Sequence, residues 1–146
     1  YRNIPDACVR INFIVGFPAE TEDDFRRILK FVSSYPVCYI NVFKYSREEG
    51  TLAYNYKQIS SDIKEERYRT LVEFASRRID EINKKISGKV FRIIADSSEY
   101  GRSYMDAPEI DGRFMVKGIM KKGFFYDVRI VRARGLTRYC SVISEV

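Results

Sequence analysis

The chain contains no histidine and no tryptophan, only three cysteines, and no apolar run approaching about 18 residues. Without histidine, the commonest metal ligand and the commonest acid/base side chain are both missing, so any chemistry must rest on other groups. Cys8, Cys38 and Cys140 are scattered, with no CxxC or CxxxCxxC spacing. That pattern argues against a disulfide framework, a zinc site or an iron-sulfur site built within this chain. Cys8 and Cys38 lie in apolar strand-like runs and read as small buried hydrophobes. No basic segment leads into a short apolar stretch at the start, which argues against a signal peptide, and the missing apolar run argues against a membrane helix. The expected address is cytoplasmic.

What is present describes a folding chain. Of 146 residues, 45% are hydrophobic, 14% aromatic and 32% charged, with a net charge of +6. The length suits one ordinary domain, or a small domain joined to part of a larger one. The chain opens at Tyr1 and enters a strand pattern within about eight residues, which suggests a segment of something longer.

Residues 8–16, CVRINFIVG, are rich in β-branched and aromatic residues and break at Gly16 and Pro18, as a strand leaving a sheet would. Thr21 then offers a helix cap, followed by Glu22, Asp23 and Asp24 at the positive end of the helix dipole. Phe25, Ile28, Leu29 and Val32 recur at helical spacing before a stop near Tyr35 and Pro36, and residues 37–45, VCYINVFKY, read as a second strand. Strand, helix and strand make a βαβ unit with parallel neighbours. Its strands need outer partners, so this part resembles the end of an α/β sheet or barrel. After a polar connection over 46–60, Ser61 or Asp62 caps the longest helical pattern. Tyr68, Leu71, Val72, Ala75, Ile79, Ile82 and Ile86 form its apolar stripe, and Gly88 stops it.

From Lys89 the pattern changes to short alternating runs, KVFRIIADS, RFMVKG, GFFYDVRIVRARG and RYCSVISEV, and six of the eight glycines fall at or after Gly88. These predict a small five-stranded antiparallel barrel over 89–146. That region holds 11 Lys and Arg against 7 Asp and Glu. The fold class is therefore α/β over 1–88 followed by all-β, joined by a long helix.

Three stretches could carry function. IVGFPAET, 14–21, is a loop at the carboxyl end of a parallel strand, where such folds bind ligands, although the three acids after Thr21 oppose a phosphate there. NVFKYSREEGT, 41–51, leaves the second strand on the same rim, as a ligand-facing loop or a solvated exit. The barrel runs mix Arg129, Arg132 and Arg134 with Phe and Tyr, which fits nucleic-acid contact or a solvated outer face. Beside them, GRSYMDAPEIDG at 101–112 is an acidic turn on a basic unit, and Asp106, Glu109 and Asp111 would repel a phosphate backbone but suit a basic protein.

In this order the segments resemble the carboxyl-terminal part of the radical SAM methylthiotransferases. IVGFPAET is similar to the family's GFPxET segment, NVFKYSREEGT to its VFxYSxREGT segment, and GRSYMDAPEIDG with GFFYDVRIVRARG to its TRAM domain. The chain departs from the pattern at Ala19, where glycine is usual, and at Asn12 and Lys44. The resemblance implies the end of a radical SAM (β/α) barrel over 1–88 and a TRAM domain over 89–146. It also implies two [4Fe-4S] clusters whose cysteines lie upstream, so that this chain alone is inert. S-adenosylmethionine would border Ile14, Gly16, Phe17 and Phe43. Arg102, Tyr104, Asp106, Glu109, Asp111, Arg129 and Arg132 would recognise substrate. The AP-E-DG turn is similar to the branch that methylthiolates an aspartate of a small-subunit ribosomal protein, with the tRNA adenosine branch and a non-enzymatic RNA-binding module as the alternatives.

Overall fold

The computed structural model describes residues 3–4, 7–35 and 37–146, arranged as two compact units. One comprises residues 9–77; the other comprises 78–146 together with the described residues among the first eight.

In the 9–77 unit, β1 (Arg10–Val15) and β2 (Tyr39–Lys44) pair in parallel, with Phe13 opposite Val42 and Ile14 opposite Phe43. Between them runs α1 (Glu22–Ser34). Thr21 caps it as expected: its hydroxyl accepts from the Asp24 amide at 3.1 Å, and the Asp24 carboxylate accepts the Thr21 amide at 3.0 Å. The Thr21 hydroxyl, donating to the Asp24 carboxylate at 2.7 Å, and then the Thr21 amide hold the Asp24 carboxyl below its ordinary pKa. Pro36, expected to help stop the helix, lies outside the described residues. Val15, Phe25, Val32 and Leu71 form the buried core, with Phe13, Ile40 and Val42 packed against it. The polar connection contains a short 3-10 turn, Leu52–Asn55.

The long helix α2 (Ser61–Ile86) already includes Ser61 and Asp62, the two expected caps. Ser60 fills that role, its hydroxyl accepting from the Ile63 amide at 3.4 Å and its carbonyl from Lys64 at 3.1 Å. Leu71 of this helix belongs to the core just described, whereas Ile86 belongs to the core of the second unit.

That second unit is a closed five-stranded barrel: β3 (Val90–Ala95), β4 (Tyr100–Ser103), β5 (Arg113–Lys117), β6 (Phe125–Arg134) and β7 (Thr137–Glu145), ordered β3-β4-β5-β7-β6. The strand count is as expected, but the barrel is mixed rather than antiparallel, because β5 and β7 run parallel from Arg113 opposite Thr137 to Lys117 opposite Ser141. The reason is parity. Strand directions that alternate around a ring close on themselves only when the number of strands is even, so a closed five-stranded ring must contain a parallel pair. Two glycines permit the tight wall: a Cβ on Gly101 would lie 2.3 Å from the Ile94 carbonyl oxygen, and one on Gly112 would lie 1.8 Å from that of Leu136.

The interior is Phe91, Ile93, Phe114, Val128, Ile130 and their neighbours, including Cys140. Burial pushes the Cys140 thiol up to about 12, only partly offset by the charge of Arg138. At mildly alkaline pH it should carry about a thousandfold less thiolate than an ordinary cysteine and resist iodoacetamide until the barrel unfolds. Peptide mapping of native against denatured alkylation checks this; rapid native labelling of Cys140 would contradict it.

Candidate functional site

The turn after β1 is built around one buried carboxylate. Glu20 accepts the Gly16 amide at 3.1 Å on one oxygen and the Arg67 guanidinium on the other, and Arg67 also donates to the Glu20 carbonyl at 3.2 Å. Both side chains are only 8% exposed, and the guanidinium lies 5.5 Å from the Phe25 ring centre. Arg67 thus ties α2 to the loop that carries Gly16 and Phe17. The loop needs two left-handed residues, Gly16 at φ 76° and Ala19 at φ 68°. The second explains why glycine suits position 19 in the resembling family, since alanine takes that conformation at a cost. At Gly16 the open side is occupied by Lys64, whose Cγ would lie 2.4 Å from an added Cβ.

On the sheet face opposite the core, Ile14 and Phe43 sit side by side in register, 56% and 53% exposed, next to Asn41 donating to Asn12 at 2.9 Å. Phe17 is also exposed, with its ring edge-on to Tyr45 at 5.2 Å. Of the four residues expected to border S-adenosylmethionine, Ile14, Phe17 and Phe43 are exposed, and Gly16 lies in the turn between them in sequence.

In the barrel, the stretch 101–112 is not one turn. Tyr100–Ser103 is strand β4, and only the remainder turns back toward β5. Asp106, expected on a recognition surface, is instead inside: its side chain and that of Arg138 are both 0% exposed and joined at 2.7 Å. Its second oxygen accepts the Ser103 amide at 3.1 Å and hydroxyl at 2.7 Å. A carboxylate so enclosed cannot touch a docked macromolecule. Asp111 accepts the Ala107 amide at 2.7 Å, Arg102 is paired with Asp96, and Tyr104 is exposed. Glu109 is exposed too, at φ 62°. The acids of this turn are thus largely consumed in forming it.

The arginines of β6 are brought together more fully than alternation implies. Ile130 pairs with Cys140 and Arg132 with Tyr139, leaving Val131 as an extra residue. This bulge reverses the facing of the strand, so Arg129, Arg132 and Arg134 are all exposed while Ala133 packs inward. Arg132 stacks over Tyr139 at 4.8 Å, and Arg129 donates to the Gly88 carbonyl at 3.0 Å.

Residues 88–138 match the sequence profile of the TRAM domain. The chain is also 42% identical over 143 residues to the ribosomal protein uS12 methylthiotransferase RimO of Elusimicrobium minutum, covering 96% of this chain and 33% of that protein. It is a RimO-like chain with a TRAM domain. The RimO of Thermosipho africanus is 41% identical over 125 residues, covering 82% of this chain and 29% of its own, and that of Roseiflexus castenholzii is 36% identical over 140 residues, covering 89% and 29%. The chain spans about a third of the length of the RimO proteins it matches. Among the described residues, no helix is long and apolar enough to cross a membrane.

Sequence reasoning missed Glu20 and Arg67. Arg67 is buried on α2 one turn before Leu71, and its partner lies 47 residues away in sequence.

Proposed function

We propose that this chain is part of a radical SAM methylthiotransferase that modifies an aspartate of the small-subunit ribosomal protein uS12, with the TRAM unit docking that protein. The observation that carries this reading is similarity to RimO proteins across both units, 96% of the chain in one case, rather than across the TRAM domain alone. The 9–77 unit then contributes to a (β/α) barrel, whose further strands would cover the open edges of β1 and β2.

Bound with a [4Fe-4S] cluster, S-adenosylmethionine would supply the radical chemistry that activates a carbon. The exposed apolar pair Ile14 and Phe43 would hold its adenosyl part, and the Arg67–Glu20 tie would keep the Gly16–Phe17 turn in place beside it. Neither cluster is expected on this chain's own cysteines: Cys140 is buried and Cys8 and Cys38 are half-buried and apart in sequence. The chain alone should therefore bind its protein partner without turning it over, and the setting of that work would be the cytoplasm.

A second reading, tRNA as substrate, is favoured by the three outward arginines of β6. One titration separates them. Immobilised chain should retain purified uS12, while its retention of tRNA should be weak and fall steeply with salt. Tight tRNA binding together with no uS12 binding would overturn the ribosomal-protein reading.

A further inference from the structure

In the 9–77 unit, the start of α2 and the segment leading into it enclose a hollow of about 490 Å³, within the size range of small-molecule sites. Ala19, Ile59 and Ile63 give it apolar walls, and the buried Glu20–Arg67 pair also lines it. None of Ile14, Gly16, Phe17 and Phe43 does, so it is not the surface expected to border S-adenosylmethionine. Two lining side chains each keep one polar atom buried and unbonded. Gln58 spends both amide hydrogens, donating from Nε2 to the carbonyls of Ala53 at 3.0 Å and Tyr56 at 2.9 Å. Those bonds fix which end of the amide is oxygen, and Oε1 is left as a buried acceptor with no partner among the described residues. Arg67, 6% exposed, uses Nη1 on the Glu20 carboxylate and carbonyl and sets Nη2 3.6 Å from the Glu22 carboxylate. Its Nε is left as a buried donor, also unbonded.

Buried polar atoms of folded proteins are nearly always bonded, so an acceptor and a donor orphaned on side chains of one hollow call for an occupant that supplies both partners. The charge of Arg67 is already met by Glu20, and the remaining charge, on the exposed Lys57, can stay in water. A carboxylate would offer acceptors alone and an ammonium donors alone, whereas a carboxamide offers one of each kind without charge. We propose that this hollow binds a carboxamide carried on a short apolar group. Its oxygen accepts from Arg67 Nε, its N–H donates to Gln58 Oε1, and Ile59 and Ile63 cover the apolar part. A free amide and the side chain of an Asn or Gln in a polypeptide share that chemistry. The site does not depend on which macromolecule the whole protein modifies.

The test uses the 146-residue chain, isotope-labelled, with isovaleramide as the free-amide probe and the blocked peptide acetyl-Gly-Gln-Gly-N-methylamide as the side-chain probe. At least one should give saturable shifts of the Ala19, Ile59 and Ile63 amides, in the millimolar range that a ligand of about seven non-hydrogen atoms allows. Saturation by isovaleramide alone identifies a free amide as the source, and saturation by the peptide identifies a polypeptide side chain. Two controls should give no saturable shift: N,N-dimethylisovaleramide, which cannot donate to Gln58, and the matching Glu peptide in its ionised form. Ile63 is 42% exposed, so it can be replaced without opening the core. Ile63→Ala should weaken binding roughly threefold, and Ile63→Trp, which fills the hollow, should abolish it. Shifts from neither probe, equal shifts from a probe and its control, or affinity unmoved by Ile63→Trp would each overturn the site. A hollow that holds only water gives the first of these results.

Discussion

Replacing Arg138 with methionine should cost the barrel about 3–5 kcal/mol, a large part of the stability of a unit this size. The substitution keeps most of the side-chain volume but leaves Asp106, 0% exposed, as a buried carboxylate that has lost its guanidinium partner. Removing one member of a buried pair is far more damaging than replacing both, because the remaining charge keeps its desolvation cost without its partner. Combining Arg138→Met with Asp106→Leu should therefore recover most of the loss. Urea unfolding of the three variants reads this directly. If the single substitution costs less than about 1 kcal/mol, the pair is not the internal strut described above. The same logic reassigns any loss of function seen on replacing Asp106: it would report an unfolded wall, not a severed contact with substrate.

Arg67→Met should act on the other unit and leave the barrel alone. It removes the guanidinium that holds Glu20, freeing a carboxylate that is 8% exposed and whose other oxygen anchors the Gly16 amide. A local cost of about 3 kcal/mol corresponds to roughly a hundredfold faster amide exchange over residues 14–21. Exchange in β3 to β7 should be unchanged. Arg67→Lys should recover only part of the protection, since lysine gives up the second nitrogen that lies 3.6 Å from the Glu22 carboxylate and the guanidinium that packs by the Phe25 ring. Unaltered exchange at Gly16 in Arg67→Met would remove the tie from the account of this turn.

Much of the fold was legible because its signals are local. Thr21 with Asp24 marks a helix start, the spacing from Phe25 to Val32 marks its buried face, and the alternating runs after Lys89 mark strands. What escaped depends on closure and distance. A five-stranded ring cannot be wholly antiparallel, but that constraint becomes visible only when the strands are counted together. The bulge at Val131 shifts the register of β6 by one residue, so no alternation rule applied to 125–134 could place Arg129 beside Arg132. Asp106 looked like its neighbours in an acidic turn, and only the arrival of Arg138 from β7, 32 residues later, distinguishes it. The βαβ pattern implies that β1 and β2 run parallel, whereas the register that sets Ile14 opposite Phe43 is visible only in the folded sheet.

The parallel pairing of β5 with β7 also sets the order in which the barrel can be made. β7 is the last strand of the ring in chain order, and it alone joins β6 to β5, so the ring stays open until residues 137–145 are available. During synthesis, the β3-β4-β5 meander can form early, but its free edge and the apolar lining of Phe91, Ile93 and Phe114 wait for residues 137–141 to arrive. Late, non-local pairing of this kind is slow, and it exposes an adhesive edge in the meantime. A chain interrupted before Thr137 would thus hold every strand of its barrel except the one that seals it.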